Sequence, residues 1–376
     1  GHLEINEVDF SATRNNVLQL GAGISAASMS VSATSNGTGL VLTDGISSDQ
    51  ITLDDMLVFN QYGVQQVQFA DGKTLSAAQL VQMETTGTSG DDTLYGSPGA
   101  DLFDGKGGND IEVGDGGSDT FVFNAGYGHL EISENYYGVA QPVLQMGAGI
   151  SATSLTVSAT SDGTGLVLTD GISGDQITLD DMLVFSPFGV QQVQFADGSA
   201  LSAAQLRQME ATGTTGNDTL YGTSDADLFD GKGGNDIEVG NGGSDTYDLQ
   251  PGYGSLTIAN GISSSNTPAG DLLIQDANPN DIWLQRVGNN LQVDLMGSTT
   301  EATIQNWFGS TYSQLGKLTV SGGSAGNLTV DSQINQLIQA MATFSGNNPG
   351  FDPTSTANQV ITDPTVLAAV NTAWHQ

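Results

Sequence analysis

The sequence predicts a mostly β protein in which two short parallel β-solenoid blocks alternate with small antiparallel β modules, with helices at the C-terminal end. Three observations carry this. The string GKGGNDIEVG stands at Gly105–Gly114 and again, unchanged, at Gly231–Gly240. Around each copy the chain divides into four consecutive nines, every one opening with Gly and carrying Asp at its sixth place. Outside these blocks lie two near-duplicate stretches, starting at Val17 and Val143, in which short apolar–polar alternations are separated by Gly, Asp or Asn.

Taken in order, residues 1–86 form the first β module. Its strands fall at SMSVSA, GLVLT, DQITL and VQQVQFA, and it ends in a helix over TLSAAQLVQM. Ser76 and Gln79 have capping-box spacing, with Leu75 and Leu80 at the staple positions. Residues 87–122 are the first block, GTSGDDTLY, GSPGADLFD, GKGGNDIEV and GDGGSDTFV. Residues 123–212 repeat the module, and Ser202, Gln205, Leu201 and Leu206 repeat its helix start. Residues 213–248 are the second block, residues 249–330 a diverged third module, and residues 331–376 a helical tail. In the tail Ile334, Leu337, Ile338 and Met341 share one helical face, and Asp363–Pro364 opens a second helix with Leu367, Val370 and Trp374 on one side.

Composition narrows the partners. Among 376 residues, 42 acidic side chains face 7 basic ones, for a net charge of -35. Nucleic acid and anionic membranes are repelled, and multivalent cations are the favoured partners. With no Cys there are no disulfides, thiolate metal sites or Cys nucleophiles. No apolar run is long enough for a membrane-spanning helix. The chain starts without a basic-then-apolar secretory leader, and GHLEI at its start recurs at Gly128–Ile132, so it is expected to be the C-terminal piece of something longer. His2, His129 and His375 are scattered, and the pairs Asp54–Asp55 and Asp180–Asp181 read as solvated faces. No EF-hand, G-x-S-x-G, H-E-x-x-H or P-loop is present, so no catalytic role is expected.

Six residues of turn and about three of strand make half a coil of a parallel solenoid. Loops on one side are then 18 residues apart in sequence, and each stacked pair offers two Asp carboxylates and several Gly carbonyls. An all-oxygen cage of this kind suits calcium, which takes six to eight oxygens in flexible geometry. Seven of the eight nines have Gly at the fourth place; the eighth has Asp225, a side chain that tolerates a left-handed backbone.

The nines resemble the G-G-x-G-x-D-x-U-x repeat of RTX (repeats-in-toxin) haemolysin-type calcium-binding proteins, and VQQVQFADG and ITLDDMLVF resemble phrases of the haemolysin-type calcium-binding related domain. The resemblance implies right-handed parallel β-rolls with Ca2+ between stacked loops. Thr88, Gly90 and Asp92 then meet Gly105, Gly107 and Asp110, and Ser97, Gly99 and Asp101 meet Gly114, Gly116 and Asp119. In the second block Thr214, Gly216 and Asp218 meet Gly231, Gly233 and Asp236, and Thr223, Asp225 and Asp227 meet Gly240, Gly242 and Asp245. That gives two complete sites per block, at least four in all; half-sites at the block ends are left for the neighbouring modules to complete. The repeat asks for an inward apolar residue two places after each loop Asp, and Leu94, Phe103, Phe121, Leu220, Phe229 and Tyr247 comply, whereas Glu112 and Glu238 do not. A local bulge turning these Glu side chains outward is expected, with a direct calcium role as the alternative.

The tail resembles the uncleaved C-terminal signal of type I secreted RTX proteins. The expectation is therefore a non-catalytic, calcium-folded module of a secreted, extracellular or surface protein, with calcium ions and the type I machinery as partners. The alternatives are the C-terminal module of a secreted RTX enzyme (protease, lipase or epimerase) or of an adhesin, surface layer or toxin with a surface or glycan partner.

Overall fold

The computed structural model describes residues 1–6, 15–46, 48–58, 63–134, 140–184, 188–261 and 268–376. It divides into two compact units, Gly1–Met182 with Pro187–Leu206, and Arg207–Gln376 with Leu183–Ser186.

In the first unit, alternate nines feed two parallel sheets. One stacks Thr93–Tyr95, Gly108–Val113, Gly128–Ser133 and Gln176–Leu179, with Leu94, Glu112, Ile132 and Leu179 in register. The other stacks Leu102–Phe103, Thr120–Phe123, Val143–Met146 and Gln192–Gln194, with Phe103, Phe121, Leu144 and Val193 in register. These rows face inward and are buried, and the Phe103 and Phe121 rings stack with centroids 4.9 Å apart. The parallel sheets therefore run on past the nines, because strands of the next module carry the same inward apolar alternation. The antiparallel part of that module is a set of extensions. Leu166–Thr169 and Thr156–Ala159 pair onto Gln176–Leu179, and Ala200–Ser202 pairs onto Gln192–Gln194.

The first module has the same plan. His2–Ile5 runs parallel to Gln50–Leu53, which continues antiparallel into Leu40–Thr43 and Ser30–Ala33. Val17–Gln19 runs parallel to Gln66–Gln68, which turns back into Thr74–Ser76. Leu40, Leu42, Leu53, Leu57, Val67 and Leu80 form its core. The helix α1, Ala77–Glu84, begins with the expected capping box: Ser76 Oγ accepts the Gln79 N–H at 3.2 Å and Gln79 Oε1 accepts the Ser76 N–H at 2.9 Å. The helix α2, Ala203–Glu210, has the same pair in Ser202 and Gln205.

The second unit repeats the arrangement. Thr219–Tyr221, Gly234–Val239, Gly254–Ala259 and Glu301–Ile304 run parallel, followed by antiparallel Asn290–Leu295 and Ile282–Val287. Opposite them, Leu228–Asp230, Thr246–Leu249, Asp271–Ala277 and Lys317–Gly322 run parallel, with Leu328–Val330 added antiparallel. The tail closes this core. Helix α3, Ile334–Asn347, buries Ile334, Leu337, Ile338 and Met341 as its pattern requires. Trp283 packs against Phe344 and Phe351 at 5.6 and 4.6 Å between ring centroids. Helix α4, Pro364–Ala373, is capped by Asp363, whose carboxylate accepts the Thr365 and Val366 N–H groups. Its buried face is Val366, Val370 and Ala373; Leu367 sits at the edge, and Trp374, buried, lies just past the helix end. Val370 and Trp374 thus lie in the core with Leu367 partly buried against it, as expected, and Val366, one turn before Val370, joins them.

Two sequence expectations fail here. No bulge turns Glu112 or Glu238 outward: Gly108–Val113 pairs without a break with Gly128–Ser133 and through Ile111–Val113 with Thr93–Tyr95, and Gly234–Val239 is equally regular. Unbroken ladders on both sides leave no room for an extra residue, so Glu112 and Glu238 point inward and are 0 % exposed. Nor is Asp225 left-handed. In the described residues the fourth place of a nine takes positive φ at Gly108, Gly117, Gly234 and Gly243, but not at Gly90, Gly216 or Asp225. The first two loops of each block turn by a different device, described next.

Candidate metal centres

In the first loop of each block the Asp at the sixth place folds back on the residue at the second. Asp92 Oδ2 accepts the Thr88 N–H at 2.6 Å and its hydroxyl at 2.8 Å. Asp218 holds Thr214 in the same way, at 2.6 and 2.8 Å. The second loops use Asp101 with Ser97 and Asp227 with Thr223. These clamps close the turn without a left-handed residue. The third and fourth loops have no hydroxyl at the second place. Lys106, Asp115, Lys232 and Asn241 stand there with φ of 63°, 56°, 58° and 57°, and the following Gly107, Gly116, Gly233 and Gly242 are also left-handed.

Stacking brings the sequence-predicted partners together. Asp110 Oδ1 accepts the Asp92 N–H at 3.0 Å, and Asp119 Oδ1 accepts the Asp101 N–H at 2.8 Å. Asp236 meets Asp218 at 2.9 Å and Asp245 meets Asp227 at 3.0 Å. The backbones close to glycine distance. A Cβ on Gly108, Gly117, Gly234 or Gly243 would run into the carbonyl of Gly90, Gly99, Gly216 or Asp225 respectively. The Gly105 and Gly231 carbonyls lie 2.7 Å from where a Cβ on Gly87 and Gly213 would stand, and Gly114 and Gly240 oppose Gly96 and Gly222 likewise. Gly107 and Gly233 lie against the backbone of Tyr127 and Tyr253 in the next coil. A ladder that the sequence reading missed runs beside these pairs: Asn109 donates to Asp91 Oδ1, and the Asn235 N–H donates to Asn217 Oδ1.

Carboxyls dominate the electrostatics, although in the second block the Arg207 guanidinium acts against the rise at Asp227. Burial pushes the Asp110, Asp101, Asp227 and Asp236 carboxyls up, and raises Asp245 to about 7. Burial, followed by repulsion from Asp110, raises Glu112 to about 8, and burial with repulsion from Asp236 and Asp230 raises Glu238 well above the usual range. Both carboxylate oxygens of Glu112 and of Glu238 are buried without a hydrogen-bond partner. Such groups require a proton or a cation. Among the described residues no three acidic or His side chains converge, so most of any metal shell falls to backbone carbonyls. Oxygen donors, paired carboxylates and partnerless buried oxygens fit calcium, a hard cation.

Gly–Asp loops stacked between two parallel sheets define a β-roll repeat. Residues 86–121 and 212–247 match the RTX calcium-binding nonapeptide repeat, and residues 40–79 match the haemolysin-type calcium binding protein related domain. The chain carries RTX haemolysin-type calcium-binding repeats in two blocks. No curated protein matches this chain. Among solved structures, the extracellular lipase LipA from Serratia marcescens aligns with 58% of this chain and 36% of its own length, at 17% identity and a TM-score of 0.19. The chain therefore spans about a third of that protein.

Proposed function

We propose that this chain is a non-catalytic region of a secreted protein that folds when it binds calcium, and that its tail serves type I export. The observation that carries the reading is the set of buried loop carboxylates. Asp110, Asp119, Asp236 and Asp245 each stack on a second loop Asp, and Glu112 and Glu238 lie beside them without hydrogen-bond partners. Burying several unpaired carboxylates is costly, so the closed loops are favoured only when a cation supplies the missing charge. Asp92, Asp110 and the loop carbonyls would hold one ion, and the equivalent groups at Asp101–Asp119, Asp218–Asp236 and Asp227–Asp245 three more. Bound calcium supplies positive charge and a flexible oxygen-coordinating centre, and its binding energy becomes folding energy.

This links structure to export. With little calcium the loops repel and the chain stays open enough to be threaded; at roughly millimolar extracellular calcium it closes. Circular dichroism and size-exclusion chromatography in chelator and in calcium test the reading. The expected result is a gain of β signal and a smaller hydrodynamic radius on adding calcium. Identical spectra and radii in the two conditions would overturn it.

A further inference from the structure

The last loop of the first block has an open side that no nine covers. Asp119 Oδ1 is occupied by the Asp101 N–H at 2.8 Å, but Asp119 Oδ2 points away from it and has no hydrogen-bond partner. Glu134, just after the strand Gly128–Ser133 of the following module, brings its carboxylate to the same place. Glu134 is 2 % exposed and Asp119 0 % exposed, and neither oxygen of Glu134 has a hydrogen-bond partner. The two groups converge beside Gly114: a Cβ there would collide with the Glu134 carboxylate and stand 2.7 Å from Asp119 Oδ2.

The second block settles the same place differently. Glu134 corresponds to Asn260 and Phe121 to Tyr247, each 126 residues on. The Tyr247 hydroxyl donates to Asn260 Oδ1 at 2.9 Å and lies 3.4 Å from Asp245 Oδ2. Asn260 Nδ2 donates to the Ala269 and Gln314 carbonyls at 3.0 and 3.2 Å. The Asn260 amide is fully paired with neutral groups there, and a hydroxyl rather than a second carboxylate stands beside Asp245 Oδ2. In the first block the hydroxyl is missing and a second carboxylate takes the amide's place. Two touching carboxylates out of water need either a shared proton or a cation.

We propose that Asp119 Oδ2 and Glu134 hold a further divalent cation, calcium, at the end of the first block, and that Tyr247 and Asn260 replace this ion in the second. The site is not made by the nines alone, since Glu134 comes from the module that follows. It also makes the blocks unequal: the first binds one more calcium than the second. A cation there ties the last loop of the roll to the next strand, where the second block uses the Tyr247–Asn260 hydrogen bond.

The inference rests on the calcium reading above, and the experiment separates the two. Calcium is counted by equilibrium dialysis on the full chain, on the double substitution Phe121→Tyr with Glu134→Asn, and on the reverse pair Tyr247→Phe with Asn260→Glu. The first variant installs a network the chain already folds with, and circular dichroism in calcium checks its fold. The expected result is one ion fewer in the first variant and one more in the second. Unchanged counts in both variants, with the wild type binding calcium, would show that the carboxylates share a proton and overturn the inference alone. No calcium bound by the wild type would overturn the inference and the proposed function together. If the first variant fails to fold, the reverse pair decides: a gain of one ion supports the site and no gain refutes it.

Discussion

Replacing Glu210 by Gln removes a buried carboxyl that lies outside the nines, although the loop carboxylate of Asp227 repels it. Glu210, at the end of α2, is 3 % exposed, and its carboxylate accepts the Tyr221 N–H at 3.0 and 3.1 Å. Burial outweighs this hydrogen bond and raises the carboxyl from 4.5 to about 8. A raised folded-state value means the group's contribution to stability is fully present below its unfolded value. It is lost as pH rises through the folded one. At pH 7 the wild type therefore loses about 3 kcal/mol relative to a neutral side chain, and at pH 6 about 2 kcal/mol, from the difference between pH and the unfolded value. Gln keeps a carbonyl for the Tyr221 N–H and has no charge to bury. Glu210→Gln is thus expected to stabilise the calcium-loaded protein by up to about 3 kcal/mol at pH 7, with the gain shrinking on acidification. All three Trp residues, Trp283, Trp307 and Trp374, lie in the second unit, so urea unfolding followed by Trp fluorescence in saturating calcium reads the relevant transition. A destabilised variant at pH 7, or a difference that does not change with pH, would refute the argument and show an ionised, paired Glu210.

Three further outcomes are expected. Asp110→Ala should empty one calcium site of the first block, the one shared with Asp92, and leave the second block's binding intact, as read by metal counting on the full chain. Gly117→Ala forces a side chain onto a φ of 117° and into the Gly99 carbonyl, so it should cost about 2 kcal/mol or more; Gly126→Ala, at a φ of 84° with open space, should cost less when calcium-dependent melting is compared. Met341→Ala empties a fully buried place between α3 and the last module and should cost about 2–5 kcal/mol in the Trp-monitored transition, with little effect on calcium binding by the first block.

Much of the fold was legible because its period is rigid. Gly at the first place and Asp at the sixth, repeated every nine residues, fix loops 18 residues apart, and Asp92 meets Asp110 as that frame requires. The helix starts at Ser76 and Ser202, and the α3 face, were readable because caps and helical periodicity are local. The extent of the parallel sheets was not. Ile132 stacks on Glu112 after 20 residues, but on Leu179 only after 47, and local alternation does not encode which distant strand continues a stack. Glu112 misled for a different reason: its charge argued for solvent, but unbroken ladders to two neighbouring strands outweigh one side chain's preference. The Phe121–Tyr247 difference looked neutral, since both fit an inward apolar place; only the position of Glu134 and Asn260 gives the Tyr247 hydroxyl its meaning.

The central claim is that calcium, held by stacked loop carboxylates and carbonyls, is part of the folded core. Its most direct test is a calcium titration of the full chain that counts bound ions while following far-ultraviolet circular dichroism. The account predicts at least four ions per chain, with β signal rising as they bind. Ions bound with no change in the spectrum, or full β signal in chelator with none bound, would contradict it.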